Sequence, residues 1–253
     1  MAITPLLVAD SLSLVRGRAP LLGDVSFSLG AGELVILAGP NGAGKSTLLH
    51  LLAGQSEPTQ GTLTLDGQAC HQFSRAQWAQ KVTLVPQHSA LGFPLTAEEV
   101  VSLGGLAHQD SVVALRQQVQ QALHDWDIHY LAQRDVRQLS GGEQQRCQLA
   151  RSWIQVRQSG SRLWLLDEPL SALDLRHQQQ CLQHIRALTA TGRTVVMVEH
   201  DLNLARRYAD RVLLLSCGRL VADGAAADVL SAEQVAETFR IDAVLENGFL
   251  QWR

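Results

Sequence analysis

The sequence predicts an α/β chain: a mostly parallel sheet covered by helices, with an antiparallel β unit at its start and a helical insert between two of its strands. Three observations carry this reading. Short apolar runs at 33–38, 82–85, 163–166, 194–198 and 212–215 alternate with helix-length segments, the pattern of βαβ units in a parallel sheet. The first thirty residues instead alternate apolar and polar positions (Leu12, Leu14, then Val25, Phe27, Leu29), the period of two of strands with one wet face. Between His88 and Ile154 the apolar runs stop and helical spacing takes over.

Taken in order, the run at 33–38 is apolar on both faces and leads straight into a glycine-rich loop at Gly39, as expected of a central buried strand. In the insert, Thr96 and Glu99 have capping-box spacing, and 117–126 and 143–153 have helical spacing. The glutamine-rich stretches 116–121 and 177–180 are expected to be solvated helix faces. A helix at 232–239 and a hairpin around Asn247-Gly248 form a small tail. The expectation is a single domain over 1–253. Its core and β unit occupy 1–87 and 155–225, the helical subdomain 88–154 and the tail 226–253.

The chain has 253 residues, 46% apolar and 18% charged, enough for a core without disulfide or metal staples and unlike a disordered chain. A formal net charge of −3 does not draw the whole surface towards nucleic acid or anionic lipid. Cys70, Cys147, Cys181 and Cys217 are scattered, with no C-x-x-C pair, which fits a reducing compartment. The N-terminus has no basic n-region, and no uncharged apolar run approaches membrane-spanning length. The chain is expected to be cytosolic and to meet a membrane only through a partner.

Gly39-Pro40-Asn41-Gly42-Ala43-Gly44-Lys45-Ser46-Thr47 fits the phosphate-loop pattern G-x-x-x-x-G-K-[ST]. Glycines let backbone N–H groups approach phosphate oxygens where a Cβ would clash. Lys45 offers a cation to the β and γ phosphates and Ser46 a hydroxyl to Mg2+, and a helix starting near Lys45 adds its positive end. A plain glycine turn is the alternative, and the strand before and helix after argue against it.

The run at 163–166 ends in Asp167-Glu168-Pro169, two carboxylates at the edge where open α/β sheets bind ligands. Asp167 is the candidate to hold Mg2+, and Glu168 the candidate to polarise an attacking water in phosphoryl transfer. Alone, the pair is equally a helix-start signal. Leu139-Ser140-Gly141-Gly142-Glu143 precedes a helix, which makes it a second anion site or an ordinary N-cap. Two phosphate-grade sites far apart in one chain point to a nucleotide held between two copies.

These motifs together resemble the nucleotide-binding subunits of ABC transporters over essentially the whole chain. They stand in that family's order: phosphate loop 39–47, Q-loop Gln87, signature 139–143, Asp167, Glu168, the D-loop 171–174 ending in Asp174, and the switch residue His200 in Glu199-His200-Asp201. The resemblance implies a P-loop NTPase (RecA-like) core with an N-terminal antiparallel β subdomain and an inserted helical signature subdomain. It implies ATP and Mg2+, with Ser46, Gln87 and Asp167 around the metal and Glu168, His200 and Gln87 at the reacting phosphate. Ser140, Gly141, Gly142, Glu143 and Asp174 would reach the nucleotide of a second copy. By position alone His200 is equally a satisfied buried histidine and Gln87 any polar loop residue.

The implied partners are a second copy closing head-to-tail over two ATP, two transmembrane permease subunits and, indirectly, a periplasmic substrate-binding protein, with no nucleic acid. The implied place is the cytoplasmic face of a bacterial inner membrane, held through the permease. Segments 88–101 and 199–210 are similar to importers of haem, iron–siderophores and vitamin B12, and Ser171-Ala-Leu-Asp-Leu-Arg-His-Gln is most similar to haem-import ATPases. The resemblance implies an ATPase driving import of haem, ahead of siderophore or cobalamin. A soluble ABC ATPase of the iron–sulfur assembly type shares every motif and is the alternative.

One position departs from that family. The aromatic residue that stacks on adenine has no counterpart in Leu14-Val15-Arg16-Gly17, which leaves the Arg16 guanidinium for the base. Only Lys45 and Lys81 are lysines among 21 basic residues. Lys45 has the phosphate loop as its reason. Lys81 is expected to be a solvated surface charge.

Overall fold

The computed structural model describes residues 5–87, 92–107 and 111–252. Two antiparallel strands, β1 (Leu7–Arg16) and β2 (Ala19–Leu29), lead to β3 (Leu34–Ala38) and, past the glycine-rich loop, to α1 (Lys45–Leu52). β4 (Gln60–Leu65), β5 (Gln68–Ala69), α2 (Arg75–Lys81) and β6 (Val82–Val85) follow. Three helices, α3 (Ala97–Ser102), α4 (Val112–Asp125) and α5 (Gly141–Val156), then separate β6 from β7 (Leu163–Asp167). The alternation resumes with α6 (Leu175–Thr189), β8 (Thr194–Val198), α7 (Leu202–Tyr208), β9 (Arg211–Ser216) and β10 (Arg219–Gly224). Helices α8 (Ala226–Val229) and α9 (Ala232–Phe239) and the hairpin of β11 (Ala243–Glu246) and β12 (Phe249–Trp252) end the described chain.

Six strands in the order β10-β9-β3-β8-β7-β6 form the central sheet. It is parallel from β9 to β6, and β10 runs antiparallel at one edge. β3 is apolar on both faces because each face meets a different core. Leu34, Ile36 and Ala38 enter the core on the helical side, and Val35 and Leu37 enter the one shared with α1 and the β unit. The second sheet, β2-β1-β4-β5, turns Leu7, Ala9, Leu12, Val25, Phe27 and Leu29 into that same core, as alternation requires. The expected fold class is the observed one.

In the helical insert, Thr96 and Ser140 start α3 and α5 with complete capping boxes to Glu99 and Glu143. α4 begins at Val112 rather than at 117. Ser111 caps it, and the exposed Val112 and Val113 contribute nothing to an apolar stripe. Trp126, Trp153, Trp164 and His184 join the insert to the core, the Trp126 ring lying 4.8 Å from His184 and 6.1 Å from Trp153 between centroids.

Two expectations are corrected. The glutamine-rich stretch 177–180 is not merely solvated, although 116–121 is largely exposed: Gln178 Nε2 donates to the Leu170 and Leu173 carbonyls at 3.2 and 3.0 Å, and Gln180 Nε2 to the Asp125 carbonyl at 2.7 Å. Lys81 is not free in solvent: its Nζ lies 3.3 Å from Asp66 Oδ2 and over the Phe73 ring, and Arg162 shares that oxygen at 3.2 Å. Among the described residues, no helix is long and apolar enough to cross a membrane. All four cysteines are free thiols.

Candidate functional site

Parallel strands deliver the motif residues to one edge of the sheet. β3 opens into Gly39; its neighbour β8 is followed by Glu199 and His200; β7, next in order, ends at Asp167 and is followed by Glu168; β6 is followed by Pro86 and Gln87. Adjacent strands lie about 4.8 Å apart, so four loops from distant parts of the sequence come within side-chain reach.

Gly39 has a φ of +141°, and a Cβ there would lie 2.1 Å from the Leu215 carbonyl oxygen. No side chain fits. From the β9–β10 turn, the Gly218 N–H donates to the Ala43 carbonyl at 3.0 Å and braces the loop. Gly44 precedes α1 and no side chain caps it, which leaves first-turn N–H groups for an anion. Lys45 is only 6% exposed, and its Nζ donates to the Gly39 and Pro40 carbonyls at 2.8 and 3.0 Å. Burial lowers its pKa, opposed by the nearby carboxylates of Glu168 and Asp167.

Asp167 is buried, and burial raises its pKa against a hydrogen bond from the Ser46 hydroxyl. Its Oδ1 has no hydrogen-bond partner, an omission worth about 1–3 kcal/mol for a buried polar group. A bare carboxylate oxygen beside a serine hydroxyl fits a hard cation that takes oxygen ligands, such as Mg2+. Glu168 has left-handed backbone, φ +50°, and its carboxylate spans the edge. Oε2 accepts from Gln87 Nε2 at 2.7 Å, and Oε1 lies 2.6 Å from His200 Nε2. Gln87 therefore gives its amide nitrogen to Glu168, and its amide oxygen is the atom left for a metal.

Glu199, in sequence only a flank of His200, has a role of its own in the structure. Its Oε1 accepts the N–H groups of His200 and Asp201 at 2.8 and 3.0 Å, and burial pushes its pKa up. It fixes the loop that carries His200. The available signal was a carboxylate directly after an all-apolar strand.

The signature and D-loop residues form a second cluster. Ser140 Oγ donates to Glu143 Oε2 at 2.8 Å and accepts the Glu143 N–H at 3.4 Å, so within one chain this serine is an N-cap. The Ser140 N–H holds the Glu143 carboxyl below the usual range. A Cβ on Gly142 would lie 2.8 Å from the Ala172 carbonyl, whereas Gly141 faces open space. Asp174 caps α6 by accepting the His177 N–H at 2.9 Å, which keeps its carboxyl low. Among the described residues, no hydrogen bond joins this cluster to the phosphate loop. Arg16 stands exposed at the β1–β2 hairpin, paired with Ala19.

The sequence profile of the ABC transporter family matches residues 22–171, more than half of the chain, from within β2 to the start of the D-loop. The chain belongs to the ABC transporter family, among the subunits that bind and hydrolyse ATP. It is 41% identical over 239 residues to the hemin import ATP-binding protein HmuV of Rhodopseudomonas palustris, covering 93% of this chain and 88% of that one. It is 43% identical over 243 residues to the protein of the same name from Pseudomonas fluorescens, covering 95% of each. Among solved structures it is similar to an ATP-binding subunit of an ABC transporter, with a TM-score of 0.81 at 25% identity over 94% of each chain. It is also similar to a bacterial Atm1-family ABC exporter with ATP bound, with a TM-score of 0.81 at 28% identity over 93% of this chain and 41% of that one.

Proposed function

We propose that the chain is the ATP-hydrolysing subunit of a haem importer, working as a pair of copies on two permease subunits. The hydrolytic part is carried by the Glu168 carboxylate, held between Gln87 and His200 next to a buried Asp167. The haem part is supported by relatives named as hemin import ATP-binding proteins, which match over nearly their whole length.

In this reading the backbone N–H groups of residues 41–47 and the Lys45 side chain cradle the β and γ phosphates. Glu168 takes the proton of a water attacking the γ-phosphorus, and the grips of Gln87 and His200 on its two oxygens fix its aim. The His200 ring is placed to stabilise charge developing on the γ-phosphate. Ser46, Asp167 and the Gln87 amide oxygen would hold Mg2+, which when bound neutralises charge on the phosphates. A second copy would bring its Ser140, Gly141, Gly142, Glu143 and Asp174 against the nucleotide, and Arg16 would stack on adenine. The pair would reach the cytoplasmic face of a bacterial inner membrane by docking on the permease, which a periplasmic binding protein supplies with cargo.

Glu168→Gln keeps the side chain's size and one acceptor oxygen, replaces the other oxygen with an NH2 donor, and removes the base. Turnover should fall by at least about a hundredfold, while ATP-bound dimer accumulates in size-exclusion chromatography; fast turnover in this variant would sink the assignment. The cargo is tested with the reconstituted permease complex, where haem-loaded binding protein should stimulate ATPase activity and siderophore-loaded or empty protein should not.

A further inference from the structure

His177 lies in the first turn of α6, away from the reacting edge, with its side chain only 12% exposed and both ring nitrogens engaged. Nδ1 is 2.8 Å from Asp174 Oδ1, the same oxygen that accepts the His177 N–H. Nε2 is 3.4 Å from Asp127 Oδ2. Asp174 closes the D-loop, whereas Asp127 lies in the turn after α4, within the helical subdomain, with φ +52°. Arg176 of α6 and Arg146 of α5 approach the same Asp127 carboxylate at 3.3 and 4.0 Å.

The surrounding contacts join the helical insert to α6 and the D-loop. Residues 177, 180 and 184 share one face of α6, and Gln180 Nε2 and His184 Nε2 both meet the Asp125 carbonyl, at 2.7 and 2.8 Å. Two residues before the D-loop, Gln145 Nε2 of α5 donates to the Pro169 carbonyl at 3.2 Å, and within it Ala172 is abutted by Gly142. The helical subdomain therefore meets the D-loop at Ala172 and at its end. Capping α6 requires only the backbone N–H of His177; the ring's second contact, to Asp127, adds nothing to a cap.

We infer that His177 is a positioning residue that ties Asp174 to the placement of the helical subdomain through Asp127, so that a shift of one is passed to the other. The inference rests on the reading of Asp174 as a residue that reaches the nucleotide of a second copy.

The test measures ATP turnover against ATP concentration for the full chain and for His177→Ala, Asp127→Ala, the double variant and His177→Gln. His177→Ala should lower kcat about tenfold and move KM less than about twofold. Asp127→Ala should do the same and the double variant no worse, because the two side chains form one link. His177→Gln, which retains an N–H donor, should recover most of kcat. Unchanged kcat in His177→Ala, effects that multiply in the double variant, or a loss confined to KM would overturn the relay. The pairing of copies is read separately, from ATP-dependent dimer formation of Glu168→Gln with and without His177→Ala, so failure of the dimer and failure of the relay leave different records.

Discussion

Gly39→Ala puts one methyl group where the structure leaves no room. The new Cβ would lie 2.1 Å from the Leu215 carbonyl oxygen, about 1 Å inside the closest ordinary contact. The oxygen belongs to a strand of the central sheet, so the phosphate loop has to move. The backbone adds strain of its own, because φ is +141° and such conformations cost a residue with a side chain about 1–3 kcal/mol. Gly160→Ala separates the two effects: Gly160 has a φ of +92°, with nothing within 4 Å of a built Cβ. That control should carry strain alone, on the order of 1 kcal/mol or a Tm fall of about 2–4 °C for a chain of this size. Gly39→Ala should lose about 3 kcal/mol and about 6–12 °C. Because its loop amides are displaced, it should also bind a fluorescent ATP analogue at least about tenfold more weakly, equivalent to about 1.4 kcal/mol. Gly160→Ala should bind like the parent. Equal melting of the two variants with unchanged nucleotide affinity in Gly39→Ala would refute the collision and the bracing argument together.

The pH dependence of stability reports on Glu199. Burial raises its folded pKa above the ordinary 4.5, so its protonated form is the one folding favours, and that stabilisation is complete below 4.5 and lost as pH rises through the folded value. Glu199→Gln keeps the carbonyl acceptor for the His200 and Asp201 N–H groups, so its Tm should decline less than the parent's between about pH 4 and pH 8; parallel melting curves across that range would contradict the burial argument. Arg16→Ala should weaken ATP binding about threefold, the worth of an exposed cation–π or stacking contact, and narrow any preference for ATP over GTP. Unchanged affinity in a titration calorimeter would mean that adenine is held elsewhere.

The central sheet was legible because β3, β7 and β8 are buried on both faces, and such strands read as unbroken apolar runs. The edge strand β10 was not, since its burial alternates and exposed Arg219 and Asp223 interrupt it. α2 carried a readable signal in Ser74 and Gln77, a complete capping box, which the short length of that helix obscured. The phosphate loop, the paired carboxylates and His200 could be located because each follows a strand end. Glu199 binds the N–H groups of its own next two residues, a local signal in a carboxylate directly after an apolar strand. His177 escaped for a different reason: its position depends on Asp127 across from it, and sequence spacing does not encode that. Lys81 shows the same limit: nothing near residue 81 announces Asp66.

If Glu168 is the base, as proposed, its placement accounts for why it needs two neighbours. A carboxylate directly after β7 has rotamer freedom to lose before it can aim at one phosphorus atom, and each grip that fixes it comes from a strand anchored differently. Gln87 stands at the end of β6, just before the chain leaves for the helical insert, whereas His200 is held by Glu199 and precedes α7, whose Asn203 pairs through both side-chain atoms with Leu250 of the tail. A displacement of the insert that draws Gln87 away by even 1 Å stretches a 2.7 Å hydrogen bond beyond useful length, while the His200 contact survives. Glu168 would then be held on one oxygen only, with its aim loosened. In the proposed function the insert would bear on the chemistry at both ends: through Gln87 on Glu168, and through Asp127 and His177 on Asp174. On the proposed function, ATP hydrolysis would be fast only with the insert seated, the coupling that a transport ATPase requires.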